Sequence, residues 1–128
     1  QDHVDAVGGL TMGADPIAAA IATVSYQEGR PVAAFIVRKD PKKHGRSKLV
    51  EGPLREGSNV AIVEDVITTG SSILKAVGAV EEMGCRVARV VVLVDRQEGG
   101  RALIEEKGYP VTALFLPGDL GITEAPAT

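Results

Sequence analysis

The sequence predicts an α/β fold in which an open, mainly parallel β-sheet is flanked by helices. Apolar runs rich in β-branched residues alternate with segments of helical period, and this βαβ order is typical of a parallel sheet with right-handed crossovers. The composition is 45% hydrophobic but only 3% aromatic, without Trp. A core of Val, Ile, Leu and Ala favours strands covered on both faces, and a length of 128 residues indicates a single domain.

The first half of the chain predicts two strands and one helix. An apolar run at residues 4–8 indicates a short buried strand. A helix is expected at residues 16–28, with Asp15 as its N-cap and a proline in its first turn. The inward face of this helix carries three apolar residues at helical spacing, Ile17, Ile21 and Val24. A second strand is expected at residues 31–37.

The second half begins with a charged segment at residues 38–57 that sustains no period, so we expect a long flexible loop or hairpin there. The remaining pattern predicts strands at 60–63, 87–94 and 111–116 and helices at 72–83 and 100–107. We therefore expect a core domain over residues 1–116. Residues 117–128 contain prolines and glycines and few apolar residues, which indicates a loosely ordered tail.

Charge and composition argue against several function classes. A net charge of −3 provides no global field to attract nucleic acid or an anionic membrane surface. No apolar run reaches the ~18 residues of a spanning helix, and the single cysteine, Cys85, cannot form an intramolecular disulfide. We expect a cytoplasmic protein without nucleic-acid or membrane partners. The chain starts almost inside an apolar run and without Met, so we also expect a preceding segment.

Two adjacent carboxylates, Glu64 and Asp65, follow the predicted third strand. In open parallel sheets, ligands bind at the carboxyl ends of the strands. Adjacent carboxylates can accept hydrogen bonds from two vicinal hydroxyls, as on a ribose, and can help to hold a hydrated magnesium ion. The alternative is that both are simply solvated at a strand end. We call these two residues the carboxylate pair.

A cluster of hydroxyl residues opens the next predicted helix, at Thr68, Thr69, Gly70, Ser71 and Ser72. Hydroxyls and backbone N–H groups at a helix N-terminus form an anion site suited to a monophosphate. The alternative is a helix cap, but a cap requires only one such residue. The phosphate loop of ATP-binding proteins, G-x-x-x-x-G-K-[ST], does not occur. We call residues 68–72 the hydroxyl cradle.

Three further segments lie where a ligand could bind. A glycine-rich segment at residues 8–16, which contains Gly8, Gly9 and Gly13, opens the first predicted helix and could meet an anion, although a strand-to-helix turn often contains glycine anyway. We call its residues 11–13 the glycine loop. The basic loop, residues 38–46, is either a solvated surface or a cover that neutralises a leaving anion. The segment after the most apolar strand, residues 95–101, contains Arg96, whose guanidinium suits a carboxylate or a pyrimidine edge. We call its residues 96–99 the arginine turn. The alternative is a polar strand end that caps a helix.

The cradle and its strand carry a specific resemblance. Residues 60–72 read V-A-I-V-E-D-V-I-T-T-G-S-S, which closely resembles the phosphoribosyl pyrophosphate signature of type I phosphoribosyltransferases, a family with a Rossmann-like core. The resemblance implies that Glu64 and Asp65 face the ribose hydroxyls, contact magnesium through water or those hydroxyls, and include a catalytic residue in Asp65. It also implies that Thr68, Thr69, Gly70, Ser71 and Ser72 hold the 5-phosphate.

The same resemblance extends to the other segments. It makes Thr11, Met12 and Gly13 the pyrophosphate loop, which in the family often contains a non-proline cis peptide. The basic loop reads R-K-x-x-K-x-H-G and looks like the catalytic loop of orotate phosphoribosyltransferases. This implies a catalytic Lys42 and three pyrophosphate ligands, Arg38, Lys39 and His44. The motif D-R-Q-E-G-G-R implies that Arg96, together with Thr68, binds orotate.

The implied activity is transfer of ribose 5-phosphate from phosphoribosyl pyrophosphate to orotate, with Mg²⁺, in a homodimer whose basic loop reaches the neighbouring site. The resemblance covers residues 4–116 and lacks the N-terminal hood usual in the family. Two alternatives remain open. One is a non-catalytic phosphoribosyl pyrophosphate-binding module or truncated core, and the other is a purine-type transferase, which the R-K-x-x-K-x-H-G loop disfavours.

Overall fold

The computed structural model describes residues 3–39 and 49–116. Six strands form one sheet in the order β3-β2-β1-β4-β5-β6, and every neighbouring pair is parallel except β2 with β3. The elements are β1 (Ala6–Leu10), α1 (Asp15–Gln27), β2 (Ala33–Val37), β3 (Val50–Glu51), β4 (Asn59–Ile67), α2 (Ser71–Glu82), β5 (Arg86–Asp95), α3 (Gly100–Glu106) and β6 (Val111–Phe115). The predicted fold class is confirmed.

The core has two layers because the central strands are buried on both faces. Successive side chains of β4 point to opposite sides of the sheet, so Val60 and Ile62 belong to one cluster and Ala61 and Val63 to the other. The first cluster includes side chains of α2 and α3, among them Val80 and Ile104. The second packs against α1. Such strands read as continuous apolar runs, which is why their positions were visible in the sequence.

The first strand was predicted two residues too early. β1 runs from Ala6 to Leu10 and includes both glycines that the sequence suggested as loop. Gly8 pairs with Phe35 of β2 and with Ile62 of β4, so partners on both sides extend the strand despite the low strand propensity of glycine. A Cβ on Gly9 would lie 2.3 Å from the Val63 carbonyl oxygen, so this position needs glycine for close approach.

Two predicted details of helix α1 were wrong. Asp15 is its first residue and not its N-cap, which is Ala14, and no side chain caps the helix. The Asp15 carboxylate instead accepts a hydrogen bond of 2.7 Å from the Thr11 hydroxyl. Val24 is 49% exposed and not inward-facing, because α1 contacts the core through its first two turns, where Ala18 is buried and Ile17 and Ile21 pack against the cluster.

The third predicted strand was too short. It is β4, which reaches Ile67 because its second half pairs with β5, for example Glu64 with Val92 and Ile67 with Asp95. The carboxylate pair therefore lies within a strand and not after one. Part of the predicted loop at 38–57 is a hairpin, since β3 pairs with β2. Each remaining element lies within two residues of its predicted bounds, and the predicted tail lies outside the described residues.

The topology creates one crevice at the carboxyl ends of the strands. From β1 the chain moves to β2 on one side, then returns to β4 on the other side of β1. The segments that follow β1 and β4 therefore diverge to opposite sides, and ligands of open α/β sheets bind at such a switch point. Among the described helices, none has the length and apolar character to cross a membrane.

Candidate functional site

The crevice brings the carboxylate pair into contact with the glycine loop. A Cβ on Gly13 would lie 2.8 Å from Asp65 Oδ1 and 3.0 Å from Glu64 Oε2. Glu64 is half-buried and Asp65 is exposed, and Asp65 Oδ1 also accepts a hydrogen bond of 2.7 Å from the N–H of Val66. Two segments that are far apart in sequence thus form one wall of the crevice, and any side chain at position 13 would press on the carboxylates.

The two carboxyl groups affect each other's charge. Burial of Glu64, followed in importance by the nearby Asp65 carboxyl, raises the pKa of Glu64 to about 7. At neutral pH this carboxyl therefore holds a proton for part of the time, and a ligand that favours the ionised form must displace that proton. A raised pKa of this kind in a cleft is frequent at functional sites.

The carboxylate pair fits a hydrated divalent cation only as an outer support. Among the described residues, no group of three or more Asp, Glu, His or Cys side chains is arranged to enclose a metal ion. Two carboxylates nevertheless supply the hard oxygen ligands that Mg²⁺ prefers, and Mg²⁺ usually retains several waters and shares its coordination with substrate phosphates. Glu64 and Asp65 are therefore suited to a cation that arrives with a phosphorylated ligand.

The hydroxyl cradle leads directly from β4 into α2. Gly70 is the N-cap residue of α2, with φ of 87°, and makes no side-chain cap bond. The Thr69 hydroxyl lies 3.5 Å from the Ser71 N–H and 3.4 Å from the Ser71 hydroxyl, both at the outer limit of a hydrogen bond. No side chain of this segment caps α2, and N–H groups at a helix N-terminus form a site suited to an anion.

A shallow depression joins the hydroxyl cradle to Glu64 of the carboxylate pair. Its lining includes Glu64, Thr68, Gly70, Ser71 and Ser72. A larger hollow lies at the opposite edge of the sheet, lined by residues that include Asp5, Arg55 and Glu56. We assign the site to the smaller depression, because ligands of parallel sheets bind at the carboxyl ends of the strands and the larger hollow lies beside the starts of β1 and β4.

The arginine turn lies directly beside the cradle. The N–H of Arg96 donates to the Ile67 carbonyl at 3.0 Å, which places the arginine backbone next to Thr68. The Arg96 side chain is half-exposed, and its Nη2 lies 3.8 Å from Glu98 Oε2. Gly99, the last residue of the turn, is the N-cap residue of α3, and no side chain caps this helix. The conformation of the turn is stabilised by Asp95, whose carboxylate accepts a hydrogen bond from the Gln97 N–H. The sequence predicted no separate role for Asp95.

The described start of the basic loop is tied to the body of the protein. Arg38 forms an ion pair with Glu51 across the β2–β3 hairpin, and its buried Nε has no hydrogen-bond partner among the described residues. The Lys39 carbonyl accepts a hydrogen bond from Lys75 of α2. Glu51 and Lys75 were missed because ordinary charged residues in a loop and on a helix give no distinctive pattern. The predicted ligands Lys42 and His44 lie outside the described residues.

The glycine loop begins with a cis peptide bond between Thr11 and Met12, as the resemblance suggested. The Thr11 N–H donates to the Val37 carbonyl at 2.8 Å, which ties this loop to the end of β2. The Met12 side chain is 75% exposed. Residues 11–13, the carboxylate pair, the cradle and the arginine turn thus all lie at one edge of the sheet.

Comparison with known proteins gives a consistent result. The family model for the phosphoribosyl transferase domain matches residues 1–109. An orotate phosphoribosyltransferase of Aquifex aeolicus is 54% identical over 116 residues, which are 91% of this chain and 63% of that protein. The chain therefore spans less than two thirds of this relative's length.

Solved structures of orotate phosphoribosyltransferases have a fold similar to that of this chain. The crystal structure of Mycobacterium tuberculosis H37Rv orotate phosphoribosyltransferase in complex with Fe(III) dicitrate superimposes with a TM-score of 0.85 at 44% identity, covering 94% of this chain and 67% of that one. The same enzyme in complex with 5-phospho-α-D-ribosyl 1-diphosphate gives a TM-score of 0.81 at 42% identity, covering 93% and 66%.

The raised pKa of Glu64 predicts a pH-dependent stability. Its pKa is about 7 in the folded protein against 4.5 for the ordinary side chain, so the folded state binds the proton more tightly. This stabilisation is complete below pH 4.5 and is lost as the pH rises through about 7. Solvent screening at a half-exposed carboxyl limits the expected change to about 1–2 kcal/mol.

Urea denaturation between pH 4 and pH 8 measures this change. Glu64→Gln should remove it, while Glu82→Gln, at an exposed carboxylate that ends α2, should retain it. If the wild-type and Glu64→Gln curves have the same pH slope, Glu64 is not the titrating group.

Proposed function

Because the chain belongs to the phosphoribosyl transferase family, we propose that it transfers the ribose 5-phosphate of phosphoribosyl pyrophosphate to orotate, giving orotidine 5-monophosphate and pyrophosphate in pyrimidine biosynthesis. The observation that carries the proposal is that Glu64 and four residues of the hydroxyl cradle line one depression, with Asp65 next to Glu64 in β4. A diol site and a monophosphate site one turn apart match the two ends of a ribose 5-phosphate.

In the proposed complex, the ribose hydroxyls donate hydrogen bonds to Glu64 and Asp65, and the 5-phosphate accepts from the first N–H groups of α2 and from the cradle hydroxyls. The positive end of the α2 dipole favours the anion. Binding to the ionised Glu64 releases a proton from a group with a pKa of about 7, so affinity should rise with pH through that range.

The chemistry needs little from the protein beyond placement and charge. The bond from the anomeric carbon to the pyrophosphate breaks through an oxocarbenium-like state, and its electron pair leaves with the pyrophosphate. The orotate ring nitrogen forms the new bond and gives its proton to the pyrophosphate or to solvent, so no protein nucleophile is required. Mg²⁺, when bound with the substrate, neutralises the diphosphate, and Glu64 and Asp65 would hold it through water or the ribose hydroxyls. Negative charge grows on the departing group, so preorganised cations and N–H donors lower the barrier.

We assign the departing pyrophosphate to the glycine loop and the basic loop. Thr11, Met12 and Gly13 would supply backbone donors, and Arg38 retains a buried Nε donor beyond its pair with Glu51. Three further residues, Lys39, Lys42 and His44, are assigned by the resemblance of the R-K-x-x-K-x-H-G motif, with Lys42 as the catalytic cation.

Recognition of orotate is assigned to Arg96 and Thr68. The support is their proximity, since the Arg96 N–H donates to the residue that precedes Thr68. A guanidinium can bind the orotate carboxylate through two parallel hydrogen bonds. We further propose a cytoplasmic protein without a nucleic-acid partner, which the single cysteine, Cys85, and the net charge of −3 support. The homodimer with shared sites is assigned by the resemblance of the basic loop alone.

The second candidate function is binding of phosphoribosyl pyrophosphate without turnover. It requires only the residues of the depression, Glu64 and the hydroxyl cradle, and no catalytic cation. Loss of orotate absorbance in the presence of phosphoribosyl pyrophosphate and Mg²⁺ distinguishes the two. Absorbance loss identifies the transferase, whereas calorimetric binding without absorbance loss identifies the binding module.

Removing the charge of the carboxylate pair should weaken substrate binding and leave the fold intact, because neither side chain belongs to the buried core. In the double variant Glu64→Gln and Asp65→Asn, phosphoribosyl pyrophosphate affinity should fall by about 10–100-fold, the value of one or two charge-assisted hydrogen bonds. Calorimetric titration with Mg²⁺ measures it, with Glu82→Gln as control. Equal affinity in the double variant and the wild type excludes this ribose site.

The assignment of Lys42 predicts a defect in turnover. Lys42→Ala should lower kcat by about 10²–10³-fold with little change in KM, because the interaction forms mainly in the transition state. Steady-state absorbance kinetics measure both constants. Lys107→Ala, at an exposed lysine that follows α3, is the control. Wild-type turnover in the Lys42→Ala variant would show that the basic loop is only a solvated surface.

A shared site predicts complementation between two inactive variants. If Lys42 serves the neighbouring subunit, a mixed dimer of Lys42→Ala and Asp65→Asn contains one intact site. Random exchange makes about half of the dimers mixed, each with one working site of two, so activity should return to roughly a quarter of wild type.

The contrary outcomes of the mixing experiment are clear. If Lys42 serves its own subunit, each chain of the mixed dimer carries one defect, and activity does not return after confirmed exchange. Light scattering that reports a monomer excludes the shared site directly.

A further inference from the structure

The segments that follow β4 and β5 are joined by two backbone hydrogen bonds. The N–H of Arg96 donates to the Ile67 carbonyl at 3.0 Å, and the N–H of Gly100 donates to the Thr68 carbonyl at 2.9 Å. The arginine turn and the residue that follows it are thus tied to Ile67, which precedes the hydroxyl cradle, and to Thr68, the first residue of the cradle. A displacement of either segment must strain or break these bonds.

Gly100 allows the two segments to approach closely. A Cβ at this position would lie 2.5 Å from the Thr68 carbonyl oxygen, 2.8 Å from the Gly70 nitrogen and 2.8 Å from the Thr69 carbonyl carbon. All three atoms belong to the backbone of the cradle and cannot rotate away. Even one added methyl group would therefore push the cradle from its position.

The buried side chain of Asp95 stabilises the conformation of the arginine turn. It is 6% exposed and is the one buried charged or polar side chain among the described residues. Its Oδ1 accepts a hydrogen bond of 2.7 Å from the N–H of Gln97. Gln97 has φ of 61° and is the one non-glycine residue with positive φ in the described part of the chain. The bond from Asp95 stabilises a conformation that most side chains disfavour.

We propose that Asp95 and Gly100 are positioning residues that make the arginine turn and the hydroxyl cradle one mechanical unit, so that base recognition and 5-phosphate binding change together. The inference rests on the proposed function for the identity of the two ligands. It assigns roles to two residues that touch neither ligand in the proposed complex. Its physical consequence is that the distance between the base site and the phosphate site is set by backbone contacts.

The discriminating test uses a ligand without a base. The Asp95 carboxylate accepts its hydrogen bond from Gln97 of the arginine turn, so a purely local role predicts that phosphoribosyl pyrophosphate binds normally when Asp95 is changed. Coupling predicts that Asp95→Ala weakens binding of phosphoribosyl pyrophosphate by about two- to tenfold, the factor that corresponds to one lost hydrogen bond. Asp95→Asn keeps an oxygen acceptor for Gln97 and should restore wild-type affinity.

A glycine pair provides the matched steric test. Gly100→Ala should weaken phosphoribosyl pyrophosphate by more than Asp95→Ala does, because the methyl group displaces the cradle itself. Gly78→Ala, in α2, should bind as wild type, since nothing lies within 4 Å of the added Cβ. Calorimetric titration with Mg²⁺ measures all four variants. Wild-type affinity in Asp95→Ala overturns the coupling even if Gly100→Ala fails to fold.

Hydrogen exchange tests the coupling without any ligand. The N–H of Gly100 bonds to Thr68, and that of Leu74 bonds to Gly70, so both report on the cradle. In Asp95→Ala both amides should exchange faster than in wild type and in Asp95→Asn. The Val90 amide, which bonds to Pro110, reports global opening and should be unchanged.

The binding experiment and the hydrogen-exchange experiment together distinguish a failure of the proposed function from a failure of the coupling. If wild-type protein does not bind phosphoribosyl pyrophosphate, the proposed function fails, and exchange alone decides the coupling. Faster exchange at Gly100 and Leu74 supports it. A change confined to the Gln97 amide overturns it.

Discussion

The parallel pairing of β4 with β1 on one side and β5 on the other is the constraint on which the site depends. The pairing of β4 with β1 ends at Ile62, which pairs with Gly8, whereas its pairing with β5 continues to Ile67. The second half of β4 therefore has a strand on one side only. The glycine loop occupies the other side, and the carboxylate pair lies where the two strands part. A shorter β4 would leave both carboxylates on an unsupported loop.

The site also depends on segments that approach each other closely, and glycine residues allow this approach. Gly13 allows the glycine loop to meet the carboxylate pair, and Gly100 allows α3 to begin against the hydroxyl cradle. At both positions a methyl group would collide with atoms of the candidate site. The resulting compactness has an electrostatic consequence, because burial beside Asp65 raises the pKa of Glu64 to about 7. Packing and charge in this crevice are thus set by the same contacts.

Arg38, at the start of the basic loop, has two roles. The sequence motif assigns Arg38 to an anionic ligand, whereas the structure pairs its guanidinium with Glu51 across a hairpin. The two roles are compatible, because Arg presents several donors in one plane and the buried Nε has no partner among the described residues. Glu51 can then orient the guanidinium for the ligand that the motif indicates. The tie between Lys39 and Lys75 connects the same segment to the helix that follows the cradle.

The sequence by itself determined the α/β class, the order of the elements after β3 and the segments that form the crevice, because apolar period and short motifs are local properties of the chain. It misplaced β1 and the end of β4, because strand length depends on hydrogen-bond partners supplied by distant segments. It also missed Asp95, Gly100 and Glu51. Their significance lies in contacts with Gln97, Thr68 and Arg38, and the last of these spans the β2–β3 hairpin. Only the tertiary structure decided these contacts and the pKa of Glu64, since burial and proximity arise when the sheet brings the strand ends to one edge.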